Sequence, residues 1–225
     1  MKKIISFSLW GNRTKYINGA LLNIPLQKEF YPGWVCRFYI DETVPQEFVI
    51  QAIENGCEVE LMEPKSDGNF GLFWRFEPFK DLSIERFIVR DTDSRLNPRE
   101  ADAVKEWEES GEEFHIMRDH KYHAVPICGG MFGATNVFIK KIEPEYDVLL
   151  NSYLKSLSFN ELYKQRGKYF NTDQPFLWKY IWPRIINSHI AHIKADGMGL
   201  NFTNKERIFK KENPDGMFVG KDMEI

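Results

Sequence analysis

Long apolar runs are missing from this 225-residue chain, and no segment approaches the roughly twenty apolar residues that a transmembrane helix requires. The amino terminus, Met1-Lys2-Lys3-Ile4-Ile5, starts like a signal peptide. Its apolar run breaks at Ser6 and Ser8 and reaches Trp10-Gly11 without a small-residue cleavage site, so it reads as a first strand. Cysteine is scarce: Cys36, Cys57 and Cys128 form no metal-binding spacing, and any disulfide scheme leaves one unpaired. A reducing, cytoplasmic setting is the expectation. Neither sign of charge dominates, with 30 basic against 33 acidic residues and a net charge of -3, so no global field draws in duplex nucleic acid. Internal repeats, low-complexity tracts and linkers are also lacking, and one domain over 1–225 is expected.

Apolar content of 43% and charged content of 28% exclude a disordered chain. Aromatic residues make up 15%, enough for a core plus stacking surfaces for rings or sugars. Residues 3–10, 35–40, 57–62, 86–90 and 114–117 read as strands, alternating with helical patterns at 16–30 and 46–53. Pro25 should kink or restart the first helix, and Thr43 with Gln46 makes a capping box around Pro45 for the second. Residues 70–76 suggest a short helix. Asn97 caps and Pro98 starts a helix to Ser110, stopped by Gly111. Further helices are expected over 143–157, 160–166 and 173–180. Alternation of this kind implies a largely parallel α/β sheet flanked by helices.

The most informative stretch is 87–95, where the apolar run Phe87-Ile88-Val89 gives way to Asp91-Thr92-Asp93. The two aspartates then sit just past the carboxyl end of a buried strand, where open α/β sheets place their ligands. Carboxylates this close repel unless a cation neutralises them, and hard divalent cations prefer oxygen. A solvated turn is the bland alternative.

The ordered set Asp91-Thr92-Asp93-Ser94-Arg95, the segment 114–120, Pro126 to Ala134 with its Gly129-Gly130 pair, and Thr172-Asp173-Gln174-Pro175 resembles the GT-A glycosyltransferases, specifically small bacterial and viral polysaccharide-type enzymes. The resemblance runs from about Ser6 to His192. It implies a GT-A, Rossmann-like, mixed but mostly parallel sheet. It also implies a nucleotide-sugar-binding half (1–95) and an acceptor-binding half (96–225). The implied activity is metal-dependent transfer of a hexose from a nucleotide sugar, a UDP-sugar by preference, to a hydroxyl of a glycan or glycolipid, with Mn²⁺ or Mg²⁺ as cofactor.

On that resemblance, Asp93 is the metal ligand and Asp91 the donor contact that also faces the metal. A carboxyl-terminal histidine, His192 rather than His189, is the further ligand, and an imidazole would favour Mn²⁺. Ser8, Leu9, Trp10 and Gly11 are expected to hold base and ribose, with Trp10 stacking on a uracil and Thr92 in the same pocket. Gly71 would permit close approach of backbone to the donor. Arg75, Arg90 and Arg95 are candidates to stabilise the departing diphosphate. His120, His123, Gly129 and Gly130 are expected at the acceptor. Asp173 is the leading catalytic carboxylate, although an N-cap role alone would explain it, and Asp119 is the reserve. Two other functions compete: a carbohydrate-binding protein with a structural cation, and an aspartyl-nucleophile phosphatase. The second fits poorly, since Arg95 stands two residues past Asp93 where such enzymes usually carry threonine.

Overall fold

Strand Lys2–Leu9 (β1) is buried on both faces from Ile4 onward, which only an inner strand covered by helices on each side can satisfy. The computed structural model describes residues 1–63, 69–157, 171–194, 202–212 and 217–223. Among these, Trp34–Ile40 (β2), Glu58–Leu61 (β3), Ile84–Val89 (β4), Phe114–Arg118 (β5), Phe132–Thr135 (β6), His189–Ile193 (β7) and Glu206–Ile208 (β8) join β1 in one sheet, in the order β3-β2-β1-β4-β6-β5-β7-β8. Every pairing is parallel except those of β6, which runs antiparallel between β4 and β5. The expected mostly parallel sheet is therefore present, with one reversed strand that the sequence pattern does not announce.

Helices Thr14–Phe30 (α1), Gln46–Glu54 (α2) and Pro98–Ser110 (α3) cover one face around Ala20, Ile24, Phe48, Ala52, Val104 and Trp107. The other face carries Asn136–Ser156 (α4) and a run of 3₁₀ turns over Asn69–Lys80. It also carries a carboxyl-terminal helical stretch in which a π turn, Leu177–Ile181, separates the α turns Asp173–Phe176 and Trp182–Ile185. This face holds a phenylalanine-rich core of Phe73, Phe76, Phe79, Phe87, Phe132 and Phe138. Most of the aromatic wealth is spent here on core packing.

Local chemistry explains where elements start and stop. Asn97 accepts from Glu100 N (3.0 Å) and Glu100 reaches back to Asn97 N (3.2 Å), while Gly111 ends α3 at φ 74°. Three expectations need correction. Pro25 does not break α1, whose neighbours Ile24 and Gln27 are locked by packing and by bonds from Gln27 to the carbonyls of Tyr31 and Trp34. Thr43 does not cap α2; its hydroxyl accepts from Gly11 N (2.6 Å) and donates to Asp41. Helix α4 starts seven residues before the expected Glu143, where Asn136 donates to the carbonyls of Leu82 and Ile84. The helix expected over 160–166 lies outside the described residues. No described helix is long and apolar enough to cross a membrane, and Cys36, Cys57 and Cys128 are free and buried.

Candidate active site

Parallel winding directs the carboxyl ends of β1 and β4 to the same edge of the sheet, and a cavity of about 730 Å³ opens there. Its walls include Ser8, Leu9, Trp10 and Gly11 from the end of β1, and Asp91, Thr92 and Asp93 from the end of β4. Arg75, His123, Gly129, Gly130 and Asp173 come in from the other side. Six expected site residues, Gly71, Arg90, Arg95, Asp119, His120 and His192, are not among its walls.

The Asp91 loop is held in place by α1. Gly19 packs so closely that a Cβ there would overlap Thr92 O, and Asn23 donates to Ser94 O (2.9 Å) while accepting from Leu96 N (3.0 Å). Opposite, Arg75 is the hinge of the site. Its backbone carbonyl accepts from Ser6 Oγ (2.7 Å), and its guanidinium pairs with Asp91 and, at 2.7 Å, with Asp173 Oδ2. Burial disfavours the Arg75 charge, but Asp91 and Asp173 outweigh it and raise the pKa. Arg75 thus fixes both carboxylates in one geometry. Asp173 follows the N-cap Thr172 and makes no cap bond, so the N-cap explanation of Asp173 does not hold.

The glycine pair turns out to serve these carboxylates. A Cβ at Gly129 would overlap Asp173 Oδ2 and stand 2.8 Å from Arg75 Nη2, and one at Gly130 would overlap the Asp91 carboxyl group. Gly71 has a similar role: a Cβ there would lie 2.5 Å from the Trp10 ring, which also meets Trp74 edge-on at 6.2 Å. Trp10 is therefore braced by protein on one side while it borders the cavity.

Of the three candidate arginines, Arg75 alone borders the cavity. Arg90 is buried against Glu100 (2.9 Å), and Arg95 bonds to the Thr92 and Ser94 carbonyls. His192 does not reach the aspartates either. Its Nδ1 lies 2.9 Å from His115 Nε2, and its Nε2 faces Glu106 at 3.6 Å on the α3 side of the sheet. Burial lowers its pKa despite Glu106. Asp119 makes a two-pronged pair with Arg99 (2.9 and 2.6 Å) and is not positioned as a catalytic reserve. His120 stacks on Phe218 at 4.1 Å. His123 does border the cavity. Asp119 N donates to its Nδ1 (3.2 Å), so the neutral ring carries its proton on Nε2, and burial with His120 nearby pushes its pKa down to about 4. Cys128, also in the wall, has its thiol pushed up to about 12 by burial and is no nucleophile.

Sequence reasoning missed Tyr16, Gly220 and Asp222, which border this cavity, and Lys15, which pairs with Asp93 in its wall. Lys15 Nζ stands between Asp93 (3.4 Å) and Asp222. Burial, then the charges of Asp91 and Asp222, raise the Asp93 pKa, with Lys15 opposing. A carboxylate crowded this way gains from a cation. Among the described residues no three metal-ligating side chains are gathered into a cluster. Asp91 and Asp93 still fit a hard divalent cation that takes one or two carboxylates and completes its shell with phosphate and water. With oxygen donors only, the imidazole argument for Mn²⁺ over Mg²⁺ lapses.

No protein-family model matches the sequence, and no curated protein sequence matches it. Solved structures match by fold. The glycosyltransferase GlyE of Streptococcus pneumoniae TIGR4 superposes with a TM-score of 0.51 at 15% identity over 84% of this chain and 44% of that chain, so this chain spans less than half of GlyE. A putative glucose-1-phosphate thymidylyltransferase from Bacillus anthracis, in complex with a sucrose, gives 0.51 at 13% identity, covering 87% of each chain. CMP:2-keto-3-deoxy-manno-octonic acid synthetase complexed with CTP gives 0.50 at 9%, covering 86% of this chain and 91% of that one. These likenesses establish the fold: a GT-A-like, mixed and mostly parallel sheet flanked by helices.

Proposed function

We propose that this chain is a glycosyltransferase that moves a sugar from a nucleotide-sugar donor to a hydroxyl of a glycan or glycolipid, with a divalent cation on Asp91 and Asp93. The observation that carries this reading is the Arg75 bridge, which ties the aspartate at the end of β4 to Asp173 across one cavity. A cation bound at Asp91 and Asp93 would offset the negative charge that develops on the departing diphosphate.

The remaining work falls to the chain's own groups. Ser8 to Gly11 and Tyr16 border the part of the cavity where base and ribose would lie, and Trp10 offers a ring edge braced from behind. Arg75 orients Asp91 and Asp173 so that donor and acceptor meet between them. His123 presents a proton on Nε2 as a hydrogen-bond donor, and the exposed ring of Tyr122 at the rim suits the apolar face of a pyranose. If configuration inverts at the anomeric carbon, Asp173 takes the proton of the acceptor hydroxyl. If it is retained, Asp173 stabilises positive charge on the sugar.

A second reading is supported by the fold shared with the two nucleotidyl-transferring proteins: formation of a nucleotide sugar from a nucleoside triphosphate and a sugar phosphate. Calorimetry with UDP, UDP-hexoses and other nucleotide sugars, with and without Mn²⁺ or Mg²⁺, tests the first. Metal-dependent binding of a nucleoside diphosphate is expected, lost in Asp93→Ala. Pyrophosphate release from a nucleoside triphosphate and a sugar 1-phosphate would replace it with the second.

A further inference from the structure

Asp119 is a buried carboxylate that the catalytic geometry leaves unused, yet its partners lead back to the site. It pairs with Arg99 at the start of α3, and its Oδ2 also accepts the backbone N–H of Val219 (2.9 Å), a hundred residues on. Arg99 in turn donates to Lys211 O and lies 4.2 Å above the Phe209 ring. From this anchor, residues 217–223 run across the cavity edge as a strap. Val219 is fully buried with Met117, Cys128, Met131 and Phe209. Phe218 stacks on His120, and Gly220 takes a left-handed turn (φ 78°) over Met131. Met223 N donates to Asp93 O (2.9 Å), and Asp222 pairs with Lys15.

Lys15 is the decisive neighbour. Its ammonium is shared between Asp222, which it contacts closely, and Asp93 at 3.4 Å. Without Asp222, the ammonium keeps Asp93 as its one carboxylate partner among the described residues, and Asp93 is the carboxylate that the cation reading requires. A monovalent internal cation on Asp93 competes with binding of an external one.

We infer that the Arg99–Asp119 pair docks the 217–223 strap so that Asp222 competes with Asp93 for Lys15, weakens the Lys15–Asp93 pair and leaves Asp93 available to a divalent cation. Asp119 and Asp222 are positioning residues on this account, the first acting through Val219 and the second through Lys15. The inference rests on the reading of Asp93 as a cation ligand.

The test is Mn²⁺ binding to the full chain, read by electron paramagnetic resonance, with amide hydrogen exchange alongside. Asp222→Asn is expected to weaken Mn²⁺ about three- to fivefold, the upper scale of one lost charge partner near a surface. In a Lys15→Met background the same change should cost clearly less, because the competitor is gone and only the direct attraction of the Asp222 charge for the cation is lost. Replacing the buried pair together, Arg99→Met with Asp119→Leu, leaves no unpaired charge, and far-UV circular dichroism checks that the variant folds. In that variant the Val219 and Met223 amides should exchange at least about tenfold faster and Mn²⁺ should weaken as in Asp222→Asn. A loss in Asp222→Asn that persists undiminished with Lys15→Met would overturn the inference by making Asp222 itself a ligand. So would wild-type binding indifferent to Asp222→Asn, or strap amides unchanged by loss of the pair. Failure of both the wild type and Lys15→Met to bind Mn²⁺ would instead overturn the reading of Asp93, and this inference with it.

Discussion

On one side of the cavity, Asp91, Thr92 and Asp93 are gripped by elements that ordinary β-α-β winding brings together: β4 carries them, and Gly19 and Asn23 of the neighbouring helix hold their backbone. On the other side, His123 and the strap depend on a buried ion pair and on a hydrogen bond from Val219, a hundred residues away. The first wall is close packing and backbone bonding, which water and salt barely touch. The second is built from titratable groups and a terminal segment, and small chemical changes can shift it. A rigid wall that holds Asp91 and Asp93 is thus set against one built from titratable groups.

Substitutions can break that contrast at the seam. Gly130 lies where the two walls meet, against the Asp91 carboxyl group. Gly130→Ala should cost at least about a hundredfold in turnover, since a displacement near 1 Å is enough for that, with a modest drop in melting temperature. Gly19→Ala attacks the rigid wall alone. It should cost roughly 1–3 kcal/mol in urea unfolding, as overpacking does, and should weaken nucleotide binding while leaving exchange of the strap amides unchanged.

The smallest effect sharpens the comparison through pH. Burial lowers the pKa values of His115, His123 and His192 from 6.5, that of His123 to about 4. The unfolded chain therefore binds protons that the folded chain does not. Stability is full above pH 6.5 and falls as pH drops below it, with the His123 share spread down to about pH 4. That share is at most about 2 kcal/mol between pH 6.5 and 5. Urea titrations at these two pH values should show a shallower acid loss in His123→Gln, and amide exchange should show the second wall loosening before Asp91 and its neighbours.

The contrast also explains what the sequence made legible. The end of β4 and the capping of α3 by Asn97 and Gly111 are local signals, because apolar runs, caps and stops act over a few residues. The Gly129-Gly130 pair was visible, but its purpose was not: only the fold reveals that two carboxylates occupy the space their side chains would fill. Strand β6 is four residues, Phe-Gly-Ala-Thr, too short and too glycine-rich for periodicity. The resemblance singles out His192 as a carboxyl-terminal imidazole, whereas β7 turns it toward Glu106, and it is not in the cavity wall. Asp119 looked catalytic because it is acidic and close to a strand end, and its partners Arg99 and Val219 are set by tertiary packing alone. Asp222 carries no local signal.

The reversed strand β6 has a consequence for how the molecule matures. The chain lays down β4 and β5 with a gap between them one strand wide, and fills it only later with β6, which bonds to both. Until then β4 and β5 present raw edges to each other and to other chains, a hazard during synthesis. Gly129 and Gly130 stand just before β6, separated from it by Met131. Closing the gap and making room for the Asp91 carboxylate are therefore coupled, while β7, β8 and Asp173 join only afterwards, so the cavity takes its final form after the gap between β4 and β5 is filled.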